Sequence, residues 1–529
     1  MKRFLASALS LAMILSALLL AGCDNNTETT TGTGNGTQQT TDSSNGTQQT
    51  TNSSNGTQSG ETTNNSQGGD TQTTDTTNNG GDPIVANDPY KKLPGYENVD
   101  FGGYTFVIAG DDGSATGDWD SVREIDTDLS DAVSVKVRER NDLVGALYNC
   151  KVELKSCGTP GAYTTANNDV TGNMHTVDIF TCIWQSGGVA KSGNVYNLYE
   201  YLDLENEWWD QNWIRDTKVK NSSGEYCVYS VLGDFAITAM ETIGVLAFNV
   251  DVMNNSEITD DIYELVRTHK WTMDKFQEMI VAVRNDANGN STYDWEEGDI
   301  IGWLEYNAPR ALTAASGLRT VKNDDGRLYC ALGEDMVTWD SVVNKGAEVY
   351  SMEGVQHGSY STMPQAIAGG YCLFYTEVLA SALENTKDYT ELKMGLVPYP
   401  LYSETQENYA HYVDDHLMPY AIPVSVAEIE KVAQFFEVYA FHSQIVRNQV
   451  IETYAFEYCG NAESSEMLDE YILPTRFYDP GYLWFNVTPE IDNMIKNGTN
   501  NIAKMAERKT STVNDNIATF MDGINDNEL

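Results

Sequence analysis

Tyr104-Thr-Phe-Val-Ile-Ala-Gly110 is a nearly unbroken apolar run and reads as a first strand. A polar loop comes next, and then a helical segment from Asp131 to Tyr148 carries Val133, Val137, Leu143, Val144 and Leu147. Lys151 to Lys155 alternates as a second strand, and Val177 to Trp184 reads as a third. Further on, Thr272 is placed to cap a helix whose Phe276, Met279, Ile280 and Val283 fall at i, i+3, i+4 and i+7. Ser425-x-x-Glu428 has the form of a capping box and leads into Ile429, Val432, Ala433 and Phe436. Strands alternating with helices predict an α/β body with a mainly parallel sheet.

The pattern is absent upstream. Residues 23–87 are almost all Thr, Asn, Gly, Gln and Ser, too polar to seed a core, and are expected to form a disordered tether. Asn-Gly-Thr-Gln recurs at Asn35, Asn45 and Asn55, without the buried face that a structural repeat needs. A flexible chain of this length holds the body on the order of 40 Å from its point of attachment. Before the tether, Lys2 and Arg3 precede an uncharged run from Phe4 to Ala21 that ends in Leu20-Ala-Gly-Cys23. That is the layout of a secretory signal, so residues 1–22 are expected to be removed. The motif resembles the bacterial lipoprotein signal, which implies a diacylglycerol on the thiol of Cys23 and a membrane anchor. The run is also just long enough to span a bilayer uncleaved. Either outcome places the body outside the cytoplasm.

About 440 residues remain, enough for two lobes with substantial cores. They keep 30 of the 32 Lys and Arg and 70 of the 77 Asp and Glu, a formal charge of −40 that makes nucleic acid an improbable partner. Of the eight cysteines, the seven besides Cys23 stand at 150, 157, 182, 227, 330, 372 and 459, an odd set that cannot pair completely. Most lie in apolar strand-like runs, where a thiol acts as a small buried hydrophobe, and no Cys-x-x-Cys or Cys/His cluster suggests zinc. A Cys150–Cys157 bridge stays open.

Two constellations carry chemistry. In Asp286-Ala-Asn288-Gly-Asn290-Ser-Thr292-Tyr-Asp294-Trp-Glu-Glu297, oxygen ligands fall at positions 1, 3, 5 and 9, with a backbone carbonyl at Thr292 and a carboxylate at 12. This is the spacing of the twelve-residue calcium loop, whose hard cation takes an all-oxygen shell, so a structural Ca²⁺ is expected. Ser291 stands where that loop has glycine, and a left-handed serine costs roughly 1 kcal/mol. The alternative is a polar turn between helix and strand. The second constellation sets aromatics beside amides and carboxylates: Trp184-Gln185, Trp208-Trp209-Asp210, Trp303-Leu-Glu305-Tyr306-Asn307 and Tyr375-Thr-Glu377. Sugar C–H faces pack on aromatic planes while their hydroxyls need charged or amide partners, so a sugar site uses both types. For each Trp taken singly, a core role is the competing expectation.

Several segments in order resemble the extracellular solute-binding lipoproteins of bacterial carbohydrate ABC importers, of the clostridial type. They are Val135-Lys-Val-Arg-Glu-Arg-Asn141, Leu202-Asp-Leu with Trp208-Trp-Asp-Gln-Asn212, Tyr263-Glu-Leu-Val-Arg267 with Lys270-Trp-Thr272, the calcium-like loop, Leu396-Val-Pro-Tyr-Pro400 with Gln406-Glu-Asn-Tyr409, and Ala421-Ile-Pro-Val-Ser425. The resemblance covers residues 95 to 485 and implies a two-lobe periplasmic-binding-protein-like fold of type II, with the ligand cleft between lobes. Lobe 1 would comprise residues 88–243 and 403–455, and lobe 2 residues 244–402 and 456–529. A sugar or oligosaccharide would be held in the cleft by a monomer and delivered to ABC transporter permease subunits. Carried over position by position, the cleft candidates are Trp184, Gln185, Asp234, Glu241, Glu305, Asn307, Arg310, Tyr375 and Glu377; Trp208 and Trp209 also match the pattern, and Trp303 belongs to the aromatic set. Tyr412-Val-Asp-Asp-His416 departs from the Ser/Gly-rich stretch of the family, so no ligand role is carried over to Asp414 or Asp415.

Two other classes compete with a transport receptor: a secreted glycoside hydrolase, which also sets paired carboxylates in a sugar cleft, and a surface scaffold that binds wall polysaccharide. Gly-x-Ser-x-Gly, His-Glu-x-x-His and Gly-x-x-x-x-Gly-Lys are all absent. The expectation is a receptor without catalytic residues.

Overall fold

The computed structural model describes residues 88–526, except 115–119, 160, 184–185, 359–361, 385, 387 and 390. The signal, the tether, Cys23, Trp184 and Gln185 thus lie outside the described residues. In chain order, the strands that matter here are β1 (Tyr104–Asp111), β2 (Cys150–Cys157), β3 (Ile179–Thr181), β4 (Gly244–Asn249), β5 (Ile301–Glu305), β6 (Val355–His357), β7 (Cys372–Val378), β8 (Met394–Val397), β9 (His411–Tyr412) and β10 (Tyr420–Ala421).

They build two main sheets. The first has the order β10-β3-β1-β2, with β1 parallel to both β2 and β3 and with β10 antiparallel to β3. The second runs β6-β5-β7-β4-β8; β5 is parallel to β6 and β7, whereas β4 is antiparallel to β7 and β8. Every residue of β4, β5 and β7 is buried, which is why these strands read as continuous apolar runs rather than alternating ones. β2 is the edge of the first sheet and alternates as expected, with Lys151 and Glu153 exposed.

The helix α1 (Ala132–Tyr148) opens at Asp131, whose carboxylate accepts from Ser134 N at 2.9 Å, and closes at Asn149 in the left-handed region. Its Arg140 is fully buried, donating to the carbonyls of Glu124 and Ile125 and lying 4.0 Å over the Tyr439 ring. Helix α2 (Met273–Val283) starts at Thr272 and buries the four apolar positions that its spacing predicts. Helix α3 (Ala308–Ala315) comes directly after β5. Helix α4 (Ile429–His442) begins after Glu428, but no capping box forms: Ser425 instead donates its hydroxyl to Asp169 at 3.1 Å. The third strand is shorter than its apolar run, ending at Thr181.

One core cluster runs from Phe106, Ile108 and Ile179 of the first sheet to Val245, Ala247 and Tyr375 of the second. A second packs the opposite face of β4, β5 and β7, with Leu246, Phe248, Trp303 and Phe374 against Phe276 and Trp271. The seven described cysteines are buried, and no disulfide joins any two of them. Cys150 and Cys157 occupy opposite ends of β2, roughly 23 Å apart at strand rise, so the bridge left open by their spacing does not form. Among the described residues, no helix is long and apolar enough to cross a membrane.

Candidate functional site

Three chain segments cross side by side where the two sheets meet. Ile243 bridges Val413 in antiparallel fashion, Leu379 N donates to Ile243 O at 2.8 Å, and Asp414 N donates to Thr242 O at 2.9 Å. Each crossing carries a carboxylate: Glu241 before β4, Glu377 near the end of β7, and Asp414 just after β9. All three are sealed, at 3%, 4% and 8% exposure. Carboxylates in such a place need partners, and the three are served unequally.

Glu241 pairs with Arg123 and accepts from the Tyr454 hydroxyl at 2.9 Å; that hydroxyl also lies 3.0 Å from Glu384. Burial raises the Glu241 carboxyl to about 7 even with the guanidinium against it. Asp414 accepts from Arg310 Nη1 and from the Tyr482 hydroxyl, both at 3.2 Å, and meets His416 Nδ1 on its other oxygen. Burial would push it up, but His416 and Arg310 hold it below the usual range, and Asp414 in turn raises the His416 imidazole. Asp415, whose N–H donates to Tyr482, is raised by burial and by Asp414. Donor atoms of Asp414, Asp415 and His416 lie within 4.8 Å of one another, a set that can hold a divalent cation.

Glu377 differs. Its Oε1 accepts only from the adjoining Val378 N, at 3.0 Å, and its Oε2 is buried without a hydrogen-bond partner. Burial lifts the group to about 7, and Asp414 and Glu305 add to the rise. Glu305, at the end of β5, uses both oxygens within the protein: one accepts from Ala308 N at 2.6 Å and so caps α3, and the other meets His357 Nδ1. His357 stacks on Tyr350 at 4.0 Å.

Other sequence candidates scatter. Trp208 and Trp209 are core residues whose indoles donate to Glu437 at 2.8 and 3.2 Å, leaving neither a free face nor a free N–H. Trp303 is likewise buried, donating to Thr376 at 2.7 Å and packing edge-on to Phe276. Asp234 stands apart, with Arg447 at 3.6 Å and its carboxyl raised to about 7 by burial. Tyr375 is buried two residues before Glu377 on β7, and Asn307 sits between β5 and α3 with its carbonyl accepting from Arg310 N at 3.1 Å. The structure therefore gathers Glu241, Glu305, Arg310 and Glu377 around the crossings. It adds residues that the sequence did not single out: Arg123, Glu384, Tyr454, His416 and Tyr482. Trp484 donates to Ser186 Oγ at 2.9 Å, and its ring would lie 2.9 Å from a Cβ at Gly187, so only glycine permits that approach. These additions come from positions far apart in the chain and share no local spacing.

The calcium-like loop closes on itself. Asp286 accepts from Gly289 N, Asn290 N and Ser291 N, and the side-chain amides of Asn288 and Asn290 both donate to Glu297 Oε2 at 2.7 Å. Ser291 takes the left-handed conformation, φ 66°, at the position where the spacing calls for glycine. Thr292 N and Oγ1 both donate to Asn290. Asp294 accepts from Glu296 N and Gln356, and the buried Asp299, just outside the twelve, accepts from Ala287 N and Asp294 N.

No protein-family model and no curated protein matches the chain. Among solved structures it is similar to a cyclo/maltodextrin-binding protein complexed with maltotetraose, at 13% identity and a TM-score of 0.50 over 78% of this chain and 97% of that one. A sugar transporter from Rhizobium etli in an open conformation gives the same identity and TM-score, over 78% of this chain and 99% of that one. The fold is therefore the periplasmic-binding-protein-like α/β fold.

Proposed function

We propose that this chain is the extracellular sugar receptor of an ABC importer, of the clostridial-type lipoprotein family. The observation that carries the reading is the seam of three crossing segments with a buried carboxylate on each, one of them with an unused oxygen. In this reading residues 88–243 with 403–455 form one lobe and residues 244–402 with 456–529 the other, a type II arrangement with the crossings as hinge. A sugar or oligosaccharide enters between them, taking hydrogen bonds from Arg310 and Asn307 and giving them to Glu241, Glu305 and Glu377, with Trp184, Gln185 and Tyr375 beside it. A ligand that touches both lobes favours the closed state by its differential affinity for it, and permease subunits read that state. No bond is made or broken, so the chain is a receptor and not an enzyme. Lipid on Cys23 keeps the monomer at the extracellular face of the membrane, and the tether sets its reach.

A thermal-shift screen of the purified chain against mono- and oligosaccharides, with product analysis of each hit, tests this. One sugar that raises the melting temperature and is recovered intact is the expected result. Cleaved product would make the protein a hydrolase, and binding to insoluble polymer alone would make it a scaffold.

The loop from Asp286 to Glu297 supports a structural Ca²⁺. The two amide groups that meet on Glu297 occupy the place where a cation would sit, and a turn of each amide presents its oxygen instead. Asp286, Asn288, Asn290, Thr292 and Glu297 would hold the ion, with Asp294 reaching it only by leaving Gln356. Calcium at a hundred times its dissociation constant is expected to raise the melting temperature by about 3 °C. Glu297→Ala should abolish the rise; a rise of the same size in the variant would rule the loop out.

A further inference from the structure

We propose that the seam selects sugars by charge, accepting neutral hydroxyl-bearing ligands and rejecting anionic ones, with Glu377 as the residue that sets the discrimination. The inference rests on the receptor reading above and goes on to the class of sugar.

Around the crossings stand six carboxylates, Glu241, Glu305, Glu377, Glu384, Asp414 and Asp415, and the described arginines and histidines facing them are already used. Arg123 is paired with Glu241 and Arg310 with Asp414, and Arg310 has Asp492 at 3.9 Å as well. His357 is held by Glu305, and His416 by Asp414 with Asp415 at 3.5 Å. Arg310 Nε is buried without a hydrogen-bond partner, but its guanidinium lies between two carboxylates and the Tyr482 ring. Among the described residues, an incoming anion thus finds no cation at the crossings free of a counter-charge.

Glu377 supplies the positive half of the argument. An oxygen that accepts nothing, on a residue only 4% exposed, carries the full cost of its desolvation until a donor arrives. A sugar hydroxyl is such a donor. At pH 8, where Glu377 is mostly ionised, a uronate carboxylate or a sugar phosphate offers that oxygen only lone pairs and adds a like charge in a water-poor site. In the receptor reading above, it is the opening of the lobes that exposes Oε2 to a ligand.

Calorimetry at pH 8 on the full chain, with a neutral oligosaccharide found in the screen and the same oligosaccharide oxidised at C6 to the uronide, measures the effect. The neutral sugar should bind about 100-fold more tightly. Glu377→Gln keeps the shape and removes the charge, so it should narrow that ratio to about 10-fold, chiefly by strengthening uronide binding. Equal or tighter uronide binding by the wild-type chain overturns the inference and leaves the receptor reading standing, as does an unchanged ratio in a folded Gln variant. The wild-type ratio decides the matter if the variant does not fold. Failure of both classes to bind overturns the receptor reading and this inference together.

Discussion

Replacing Glu437 by alanine should cost about 4 kcal/mol of folding stability, a drop of about 4 °C in melting temperature for a body of this size, without changing the affinity for sugar. Glu437 is 2% exposed on α4. One oxygen accepts from Trp208 Nε1, Trp209 Nε1 and Asn206 Nδ2, and the other from Asp203 N. Burial raises this carboxyl, while those donors pull it back. Alanine removes the acceptor and leaves two indole N–H groups in a core with Phe441 and Phe436 edge-on to their rings and no water to turn to. Glutamine keeps one oxygen for the indoles but turns an NH₂ toward Asp203 N, so Glu437→Gln should lie about halfway. Urea unfolding of the three proteins measures this. A loss under about 1 kcal/mol for the alanine variant would mean that the indoles have other acceptors, and a change in sugar affinity would return Trp208 and Trp209 to the cleft.

Those two tryptophans show where local reasoning stops. Aromatic and acidic residues side by side describe a sugar platform and a capped core pair equally well, because the distinction lies in α4, more than two hundred residues away. The elements themselves were legible wherever one face decides the pattern: α1 and α2 follow their apolar spacing, and β2 alternates as an edge strand must. Where burial is two-sided the pattern goes flat, and Glu377 is carried inside the apolar run of β7 with nothing local to show that one oxygen lacks a partner. Ser425 failed as a cap since Asp169, brought up by tertiary packing, takes its hydroxyl. The loop at Asp286 was readable because its contacts are nearly all within twelve residues; even the left-handed Ser291 follows from its position. Asp414, Tyr454 and Tyr482 meet the site only through the crossings, so no spacing could have announced them.

The same burial that hides these carboxyls sets the response of the whole body to pH. Glu124 is fully buried and raised to about 8, although it accepts from Thr238 N at 3.0 Å and from the Tyr420 hydroxyl at 2.9 Å. Asp234, Glu241 and Glu377 are each raised to about 7, also by burial. Their ordinary values are 4.5 for Glu and 3.8 for Asp, so between those values and 7 to 8 the folded chain holds protons that the unfolded chain has released. Stability must then fall as pH rises through that window. His411 acts in the opposite sense: burial lowers it to about 4 from 6.5, so the unfolded chain binds the extra proton as pH drops below 6.5 and stability is lost on that side. His411 offsets only part of the carboxyl term, since one imidazole stands against four carboxyls, so stability already falls with rising pH between pH 5 and 6.5. From pH 6.5 to pH 8.5 the four carboxyls together remove about 4 kcal/mol, or about 4 °C of melting temperature. Calorimetric melting from pH 5 to 9 should show that decline, and Glu124→Gln should flatten it above pH 6.5 by about half, since the group with the highest value contributes most above pH 7. A melting temperature that stays level or climbs between pH 6.5 and 8.5 would mean that these carboxyls are ionised in the folded chain, and the unpartnered oxygen of Glu377 would then have found a donor without any ligand.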